Sequence, residues 1–124
     1  MNYRDNDTIY TGNGDDEVYA SYGDDKVYGE AGNDKLYGEE GNDILDGGEG
    51  NDDLFGGVGD DTLVGGAGDD HLVGGYGNDV YVYNKGDGHD VVNNYSRNLS
   101  VTLCRLILSV IVTHAAITVE KRMS

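Results

Sequence analysis

The stretch GGVGDDTLV at residues 56–64 decides the fold, because the chain repeats its pattern every nine residues. GGAGDDHLV follows at 65–73, and GGYGNDVYV follows at 74–82. Each unit sets three glycines beside two adjacent Asp or Asn residues and ends in an apolar, strand-like run. A fixed period of this length predicts stacked structural repeats, each of which packs against its neighbours along one axis.

Eight such frames follow one another in register, if position one is the first residue of each unit. They lie at 11–19, 20–28, 29–37, 38–46, 47–55, 56–64, 65–73 and 74–82. Position four is always Gly, position five is Asn or Asp, and position six is always Asp. The frames from Gly47 onward carry the full GGxGxD pattern, whereas Ser21, Glu30 and Glu39 replace the second glycine in earlier frames. Residues 2–10 are an eroded frame, and residues 85–93 are a last frame displaced by two residues.

Each frame predicts a glycine turn followed by a short strand. Glycine suits turn positions that need a positive φ, and neighbouring side chains of a strand point to opposite faces. Position eight therefore points inward and predicts a core built from Val18, Val27, Leu36, Leu45, Leu54, Leu63, Leu72 and Tyr81. Two frames make one coil, so the sequence predicts an all-β solenoid with two parallel sheets around a thin core.

The composition favours a cation-binding protein and argues against several other classes. The chain has 124 residues, 24 acidic side chains, 8 Lys and Arg side chains and a net charge of −16. Nucleic-acid binding rests on cationic contacts to phosphate, so we expect no nucleic-acid partner. The histidines stand apart as surface residues and no catalytic motif is recognisable, so we expect no enzyme activity. Cys104 is the only cysteine, which excludes an intrachain disulfide.

The consecutive GGxGxDxUx units resemble the calcium-binding nonapeptide of the RTX (repeats-in-toxin) family. The resemblance covers residues 2–93 and implies a right-handed parallel β-roll with Ca²⁺ ions between its turns. It divides the chain into an eroded first repeat at 1–10, the β-roll at 11–93 and a C-terminal tail at 94–124. The tail is open to three interpretations: strands that cap the roll, a secretion signal, or a degenerate gene end.

Stacking places the turns of frames two apart against each other, which pairs 16 with 34, 34 with 52, 52 with 70, 25 with 43, 43 with 61 and 61 with 79. The resemblance implies an ion between the members of each pair, held by position-six carboxylates and turn carbonyls, which gives about six Ca²⁺ ions. The expected side-chain ligands are Asp16, Asp25, Asp34, Asp43, Asp52, Asp61, Asp70 and Asp79, with Asp7 and Asp90 as terminal ligands. The expected backbone ligands are the carbonyls of Gly47, Gly56, Gly65, Gly74, Asn51, Asp60, Asp69 and Asn78.

The side chains at position five have a second interpretation, which we favour over direct ligation. Asn and Asp suit tight turns because their side chains bond nearby backbone groups and because they tolerate a left-handed φ. Of the adjacent acids at 60 and 61, only Asp61 is therefore predicted as a side-chain ligand.

One inward side chain per nine residues buries too little apolar surface to offset chain entropy, and stacked carboxylates repel one another. We therefore expect the metal-free chain to be unfolded and calcium binding to be coupled to folding. Extracellular calcium modules bind with dissociation constants of about 10⁻⁴–10⁻³ M, which suits folding outside the cell. The start of the chain lacks the features of a Sec-type signal peptide. The resemblance implies a secreted, extracellular part of a bacterial RTX toxin, hemolysin-like protein or exoenzyme, exported by type I secretion machinery.

An adhesive or structural surface module is the alternative function. Position nine places Tyr10 and Tyr28 on one outer sheet face, and Tyr19 and Tyr37 on the other. Such ladders suit binding of carbohydrate or of another protein, while cross-strand aromatic stabilisation is the simpler explanation. The resemblance separately implies a larger parent RTX protein as a partner of this chain.

The tail differs in composition from the repeats. Residues 99–119 are rich in apolar and β-branched side chains, but Arg105 and His114 interrupt them. The uninterrupted part is shorter than the roughly 20 residues that a membrane helix needs. We therefore expect no membrane span and favour strands over a helix in this region.

Overall fold

Three-residue strands alternate with glycine turns through most of the chain. The computed structural model describes residues 5–84 and 89–93 and the backbone of strands at 99–104, 107–112 and 116–122; side chains are described for 5–82 and 90–92. Gly86 and Gly88 of the displaced frame lie outside the described residues, as do Arg105 and His114 of the tail. The strands are β1 (Thr8–Tyr10), β2 (Glu17–Tyr19), β3 (Lys26–Tyr28), β4 (Lys35–Tyr37), β5 (Ile44–Asp46), β6 (Asp53–Phe55), β7 (Thr62–Val64), β8 (His71–Val73), β9 (Asp79–Asn84), β10 (His89–Asn93), β11 (Leu99–Cys104), β12 (Ile107–Val112) and β13 (Ala116–Arg122).

Alternate strands belong to opposite sheets. The first sheet has the order β1-β3-β5-β7-β9-β11, and the second has the order β12-β13-β10-β8-β6-β4-β2. Strands of consecutive coils pair in parallel, so that Leu45 lies opposite Leu63 in one sheet and Leu54 lies opposite Leu72 in the other. Partners in these pairs are two frames apart in the sequence, which confirms the predicted parallel β-solenoid with two frames to a coil.

The core is a double row of position-eight side chains. The fully buried members are Val27, Leu36, Leu45, Leu54, Leu63, Leu72 and Tyr81, and Val92 of the displaced frame joins them. Val18 packs against this cluster but is only half-buried, as is Ile9 of the eroded frame. Both belong to the edge strands β1 and β2, which lack a preceding coil to cover them.

The turns stack as closely as the strands. Gly59 has a φ of 124°, and a β-carbon at this position would collide with the carbonyl oxygen of Gly41 in the preceding coil. Position four therefore excludes other residues both by its dihedral angle and by the distance between coils. Ser21, Glu30 and Glu39 occupy position two with φ between 65° and 74°, a left-handed conformation that is uncommon for such residues.

The repeat geometry changes after Val82. β9 runs on to Asn84 instead of ending after three residues, because the next frame is displaced and its turn begins later. β11 then pairs with β9 in parallel, whereas β13 lies antiparallel to both β10 and β12. The described residues contain no helix that is long and apolar enough to span a membrane.

Candidate metal centre

The position-six Asp residues form one ladder along each edge of the roll. The Asp43 N–H donates to the Oδ1 of Asp61 at 2.8 Å, and the Asp61 N–H donates to the Oδ1 of Asp79 at 2.9 Å. On the other edge, the Asp34 N–H donates to the Oδ1 of Asp52 at 2.8 Å. The same bond joins all six pairs expected from the sequence, and it also joins 7 with 25 and 70 with 90. Turns two frames apart therefore face each other as predicted.

The second carboxylate oxygen of these residues is buried. Asp61 is 1% exposed, and its Oδ2 has no hydrogen-bond partner among the described residues. The same holds for the Oδ2 atoms of Asp7, Asp16, Asp25, Asp34, Asp43, Asp52 and Asp79. Asp70 and Asp90 are buried in equivalent positions. A buried, unsatisfied carboxylate oxygen is unfavourable by several kcal/mol unless a proton or a cation compensates it, so a row of them requires an explanation.

Burial also changes the acidity of these carboxyl groups. It raises the pKa of Asp61 to about 8 and those of Asp43 and Asp52 to about 7, because desolvation disfavours the charged form and the neighbouring carboxylates add repulsion. The backbone N–H bond to each Oδ1 opposes this increase only in part. Burial likewise raises the pKa values of Asp25, Asp34 and Asp79. Asp43, Asp52 and Asp61 are therefore fully ionised at neutral pH only if positive charge is brought to them.

Position-one glycines let the backbone approach the Oδ2 of the Asp in the same frame more closely than a residue with a β-carbon could. A β-carbon at Gly56 would lie 2.5 Å from the Asp61 Oδ2 and 2.7 Å from the carbonyl oxygen of Gly74 in the next coil. A β-carbon at Gly38 would meet the Oδ2 of Asp43 and the carbonyl of Gly56 at 2.5 and 2.9 Å. We call this arrangement a cradle: a position-one residue, the Oδ2 of the Asp in the same frame, and the position-one carbonyl of the next coil.

In two cradles near the N-terminal end, position one is a residue with a side chain instead of glycine. Thr11 occupies position one beside Asp16, and its hydroxyl donates to the carbonyl oxygen of Gly29 at 2.7 Å. Ala20 occupies position one beside Asp25 and is buried in the core. The six expected pairs therefore do not have equal sites, because only the four pairs from Asp34 onward have glycine in the cradle.

Position-five side chains point away from the cradles and make a different bond from the one expected. Asp60 and Asn51 are exposed, and their Oδ1 atoms accept the backbone N–H groups of Asn78 at 2.8 Å and Asp69 at 2.9 Å in the next coil. The tolerance of Asn and Asp for a left-handed φ is not used at position five, because the non-glycines with positive φ among the described residues are all at position two. Because these side chains are bonded to the next turn, their backbone carbonyls are the groups that stay predicted as ligands.

The donor set fits Ca²⁺. The cradles of Gly29, Gly38 and Gly56 each offer a carboxylate oxygen and a backbone carbonyl. Ca²⁺ takes hard oxygen donors of this kind, at six to eight per ion in general. Within the described part of the chain, no three His, Cys, Asp or Glu side chains converge as a metal cluster. Carbonyl oxygens must therefore supply much of the coordination, which suits calcium better than metals that prefer nitrogen or sulfur.

The outer tyrosines stack on one another in both sheets. The rings of Tyr19 and Tyr37 lie 4.6 Å apart, Phe55 continues this row at 4.8 Å, and Tyr10 stacks on Tyr28 at 4.8 Å. The interplanar angles are 11° or less, so neighbouring rings are stacked face to face, while Tyr10 and Tyr19 on the edge strands stay 66% and 52% exposed. Stacking of this kind is what cross-strand aromatic stabilisation predicts.

Sequence reasoning missed three contributions to the site: the Thr11 hydroxyl, the Ala20 methyl group and the Tyr81 hydroxyl, which accepts the Gly74 N–H at 2.9 Å. Each is a visible departure from the repeat, at position one or at position eight. A search for breaks in the period, as well as for its conserved positions, identifies all three.

Comparison with known proteins agrees with this geometry. A family model described as RTX calcium-binding nonapeptide repeat matches in four copies, at residues 3–21, 19–54, 28–63 and 55–92. The search of curated proteins finds no match.

Proposed function

The chain belongs to the RTX calcium-binding nonapeptide repeat family, and on that premise we propose that its β-roll binds calcium in the cradles and folds as it does so. Calcium binding by the roll follows from the family. The ligands, the coupling to folding and the cellular context are the proposal.

The observation that carries the proposal is the row of buried Oδ2 atoms. At Asp34, Asp43 and Asp61, this oxygen lies beside the position-one carbonyl of the next coil, as with Asp61 and Gly74. We propose that the position-six carboxylates and the position-one and position-five carbonyls are the ligands of about six ions, with the strongest sites where position one is glycine.

Coupling of calcium binding to folding is supported by the small apolar core and by the unfavourable burial of the carboxylates. The core receives one inward side chain from each frame, and the carboxylates that face each other across the turns are buried. Without a counter-charge, closing the turns desolvates these carboxylates, whereas an unfolded chain leaves them in water. Bringing a divalent cation to each cradle compensates both carboxylates of a pair, so binding energy becomes folding energy.

We further propose that this switch operates outside the cell. RTX repeats are typical of secreted bacterial proteins, and millimolar calcium is an extracellular condition. A chain that stays unfolded at low calcium suits passage through type I secretion machinery and then folds on arrival. The parent context that we propose is a secreted toxin, hemolysin-like protein or exoenzyme.

We propose a structural role rather than catalysis for this module. The functional carboxylates repeat in equivalent positions from coil to coil, as cumulative ion binding requires. Catalysis instead needs unlike groups in distinct roles at one place.

A calcium titration tests the proposal. Circular dichroism and bound-ion analysis of the same samples are expected to show a disordered chain in chelator, and a β-rich chain with several bound ions at millimolar calcium. Magnesium at equal concentration is the control, since it demands a tighter octahedral geometry that carbonyl-rich cradles do not favour. Equal β-structure with chelator and with calcium contradicts the coupling, and absence of bound calcium contradicts the function itself.

A further inference from the structure

Tyr81 differs from the other position-eight side chains of the regular frames. Those are Val or Leu, whereas Tyr81 carries a hydroxyl group at the end of a long ring. It is 1% exposed, and its ring crosses the core toward the turn that begins at Gly74. The Gly74 N–H donates to the Tyr81 hydroxyl oxygen, Oη, at 2.9 Å.

At Gly56, backbone carbonyl oxygens of the next coil make the contacts that the Tyr81 Oη makes at Gly74. The Gly56 N–H donates to the carbonyl oxygen of Val73 at 2.8 Å, and the Gly74 carbonyl oxygen lines the cradle of Asp61. A position-one residue thus normally meets two carbonyl oxygens from the following coil.

At Gly74, the Tyr81 Oη is found where the carbonyl oxygens of a following coil lie at Gly56. The two atoms nearest to where a β-carbon of residue 74 would lie are the Tyr81 Oη and the Asp79 Oδ2. In the cradle of Gly56, the corresponding atoms are the Oδ2 of Asp61 and a backbone carbonyl oxygen. Asp79 is 1% exposed, and its Oδ2 has no hydrogen-bond partner in the part of the chain that the structure describes.

The chemistry of a phenol allows it to substitute for a carbonyl. A hydroxyl oxygen has two lone pairs and one proton, so it can accept a backbone N–H and also present a lone pair to a hard cation. It is neutral, as a carbonyl is, and its ring is fixed by the surrounding core.

We propose that Asp79 and Tyr81 hold a further divalent cation at the C-terminal end of this edge, in a cradle where a side-chain hydroxyl replaces the backbone carbonyl. The site lies one coil beyond the site that Asp61 and Asp79 share. It rests on the calcium-binding function proposed above, and Ca²⁺ is its expected ligand. Its two named oxygens come from within one frame rather than from two coils.

The test compares Tyr81→Phe, which removes only the hydroxyl, with Tyr76→Phe, which makes the same change on a side chain that is 69% exposed. At saturating calcium, equilibrium dialysis is expected to give about one ion fewer per chain for Tyr81→Phe and an unchanged number for Tyr76→Phe. Tyrosine-sensitised luminescence of bound Tb³⁺ is expected to fall for Tyr81→Phe and to stay near the parent level for Tyr76→Phe.

Equal ion numbers in parent and Tyr81→Phe overturn the terminal site and leave a structural role for the hydroxyl. A parent that binds no calcium overturns the proposed function instead, so the two failures are distinguishable. If Tyr81→Phe does not fold, anomalous diffraction from Tb³⁺-soaked crystals of the parent decides the question. An ion within about 2.6 Å of the Tyr81 Oη is expected there, and its absence rules the site out.

Discussion

The N-terminal and C-terminal halves of the roll have the same backbone but different cradles. In frames 47–82 every position one and every position two is glycine, whereas frames 11–46 carry Thr11 and Ala20 at position one and Glu30 and Glu39 at position two. Strand register and the Asp ladder nevertheless continue unchanged from one half to the other.

This difference separates what the fold needs from what the ion sites need. Positions four, six and eight are constant in type, and they supply the close turn contact, the ladder bond and the core. Positions one and two vary, so the fold tolerates a β-carbon there, although each one occupies cradle space or a left-handed φ. Frames 47–82 are therefore expected to bind calcium more tightly than frames 11–46.

The largest expected effect is that of pH on the metal-free chain, because several carboxyls act together. Burial raises the pKa values of Asp43, Asp52 and Asp61 to about 7, 7 and 8, above the ordinary value of about 3.9 in an unfolded chain. Their contribution to stability is therefore complete below about pH 4 and is lost as the pH rises through 7 to 8. Circular dichroism in metal-free buffer is expected to show more β-structure at pH 5 than at pH 9. The same signal at both values contradicts the buried carboxyls as its source.

Replacement of single carboxylates comes next and compares the two halves directly. Asp61→Asn keeps an Oδ1 acceptor for the Asp43 N–H but removes the charge that Asp61 brings to its two pairs. At calcium about 100-fold above the dissociation constant, each ion that is lost lowers the free energy of unfolding by about 3 kcal/mol. Asp25→Asn is expected to lower it less, because Ala20 already occupies that cradle. Urea denaturation at fixed calcium measures both. Equal losses show that the cradles do not differ in strength.

Exchange of the position-one residues tests the cradle itself. Gly56→Ala places a β-carbon 2.5 Å from the Asp61 Oδ2, and overpacking of this kind destabilises by about 2 kcal/mol. Ala20→Gly removes the methyl group from the corresponding cradle at Asp25 and is expected to increase calcium affinity in frames 11–46. Calorimetric titration of both variants is the measurement. A weaker calcium response in Ala20→Gly argues that the methyl group does not limit binding there.

The smallest expected effect concerns backbone strain at position two. Glu39 has a φ of 70°, which glycine adopts without steric strain. Glu39→Gly removes this strain but increases the conformational entropy of the unfolded chain. The net effect is expected to stabilise the calcium-bound roll by about 0.5 kcal/mol. Glu40→Gly is the matched control, since it removes the same charge from the neighbouring exposed residue and is expected to destabilise. Thermal unfolding at saturating calcium compares them, and shifts of the same sign in both contradict the strain argument.

Much of the site follows from the period. Asp61 was predicted to face Asp43 and Asp79 because two frames complete a coil, and the ladder bonds place these residues together. Leu63 was predicted to point inward from strand alternation, and it is fully buried. The direction of the Asp60 bond was not predictable, because local turn propensity says nothing about a donor in the next coil. Calcium ligation by all these groups stays a prediction.

The sequence by itself determined the solenoid, the two-frame coil, the inward residues and the family, because all of these depend on periodicity, and periodicity is a property of the chain alone. Only the tertiary structure decided which carboxylate oxygen accepts a backbone N–H and which lies buried in the cradle. The tertiary structure also showed that Thr11 and Ala20 stand where other frames have a position-one glycine. It showed that the Tyr81 hydroxyl accepts an N–H that a backbone carbonyl accepts in other frames. These features depend on the orientation of single atoms between coils, and the repeat pattern sets which residues meet but not how their atoms are arranged.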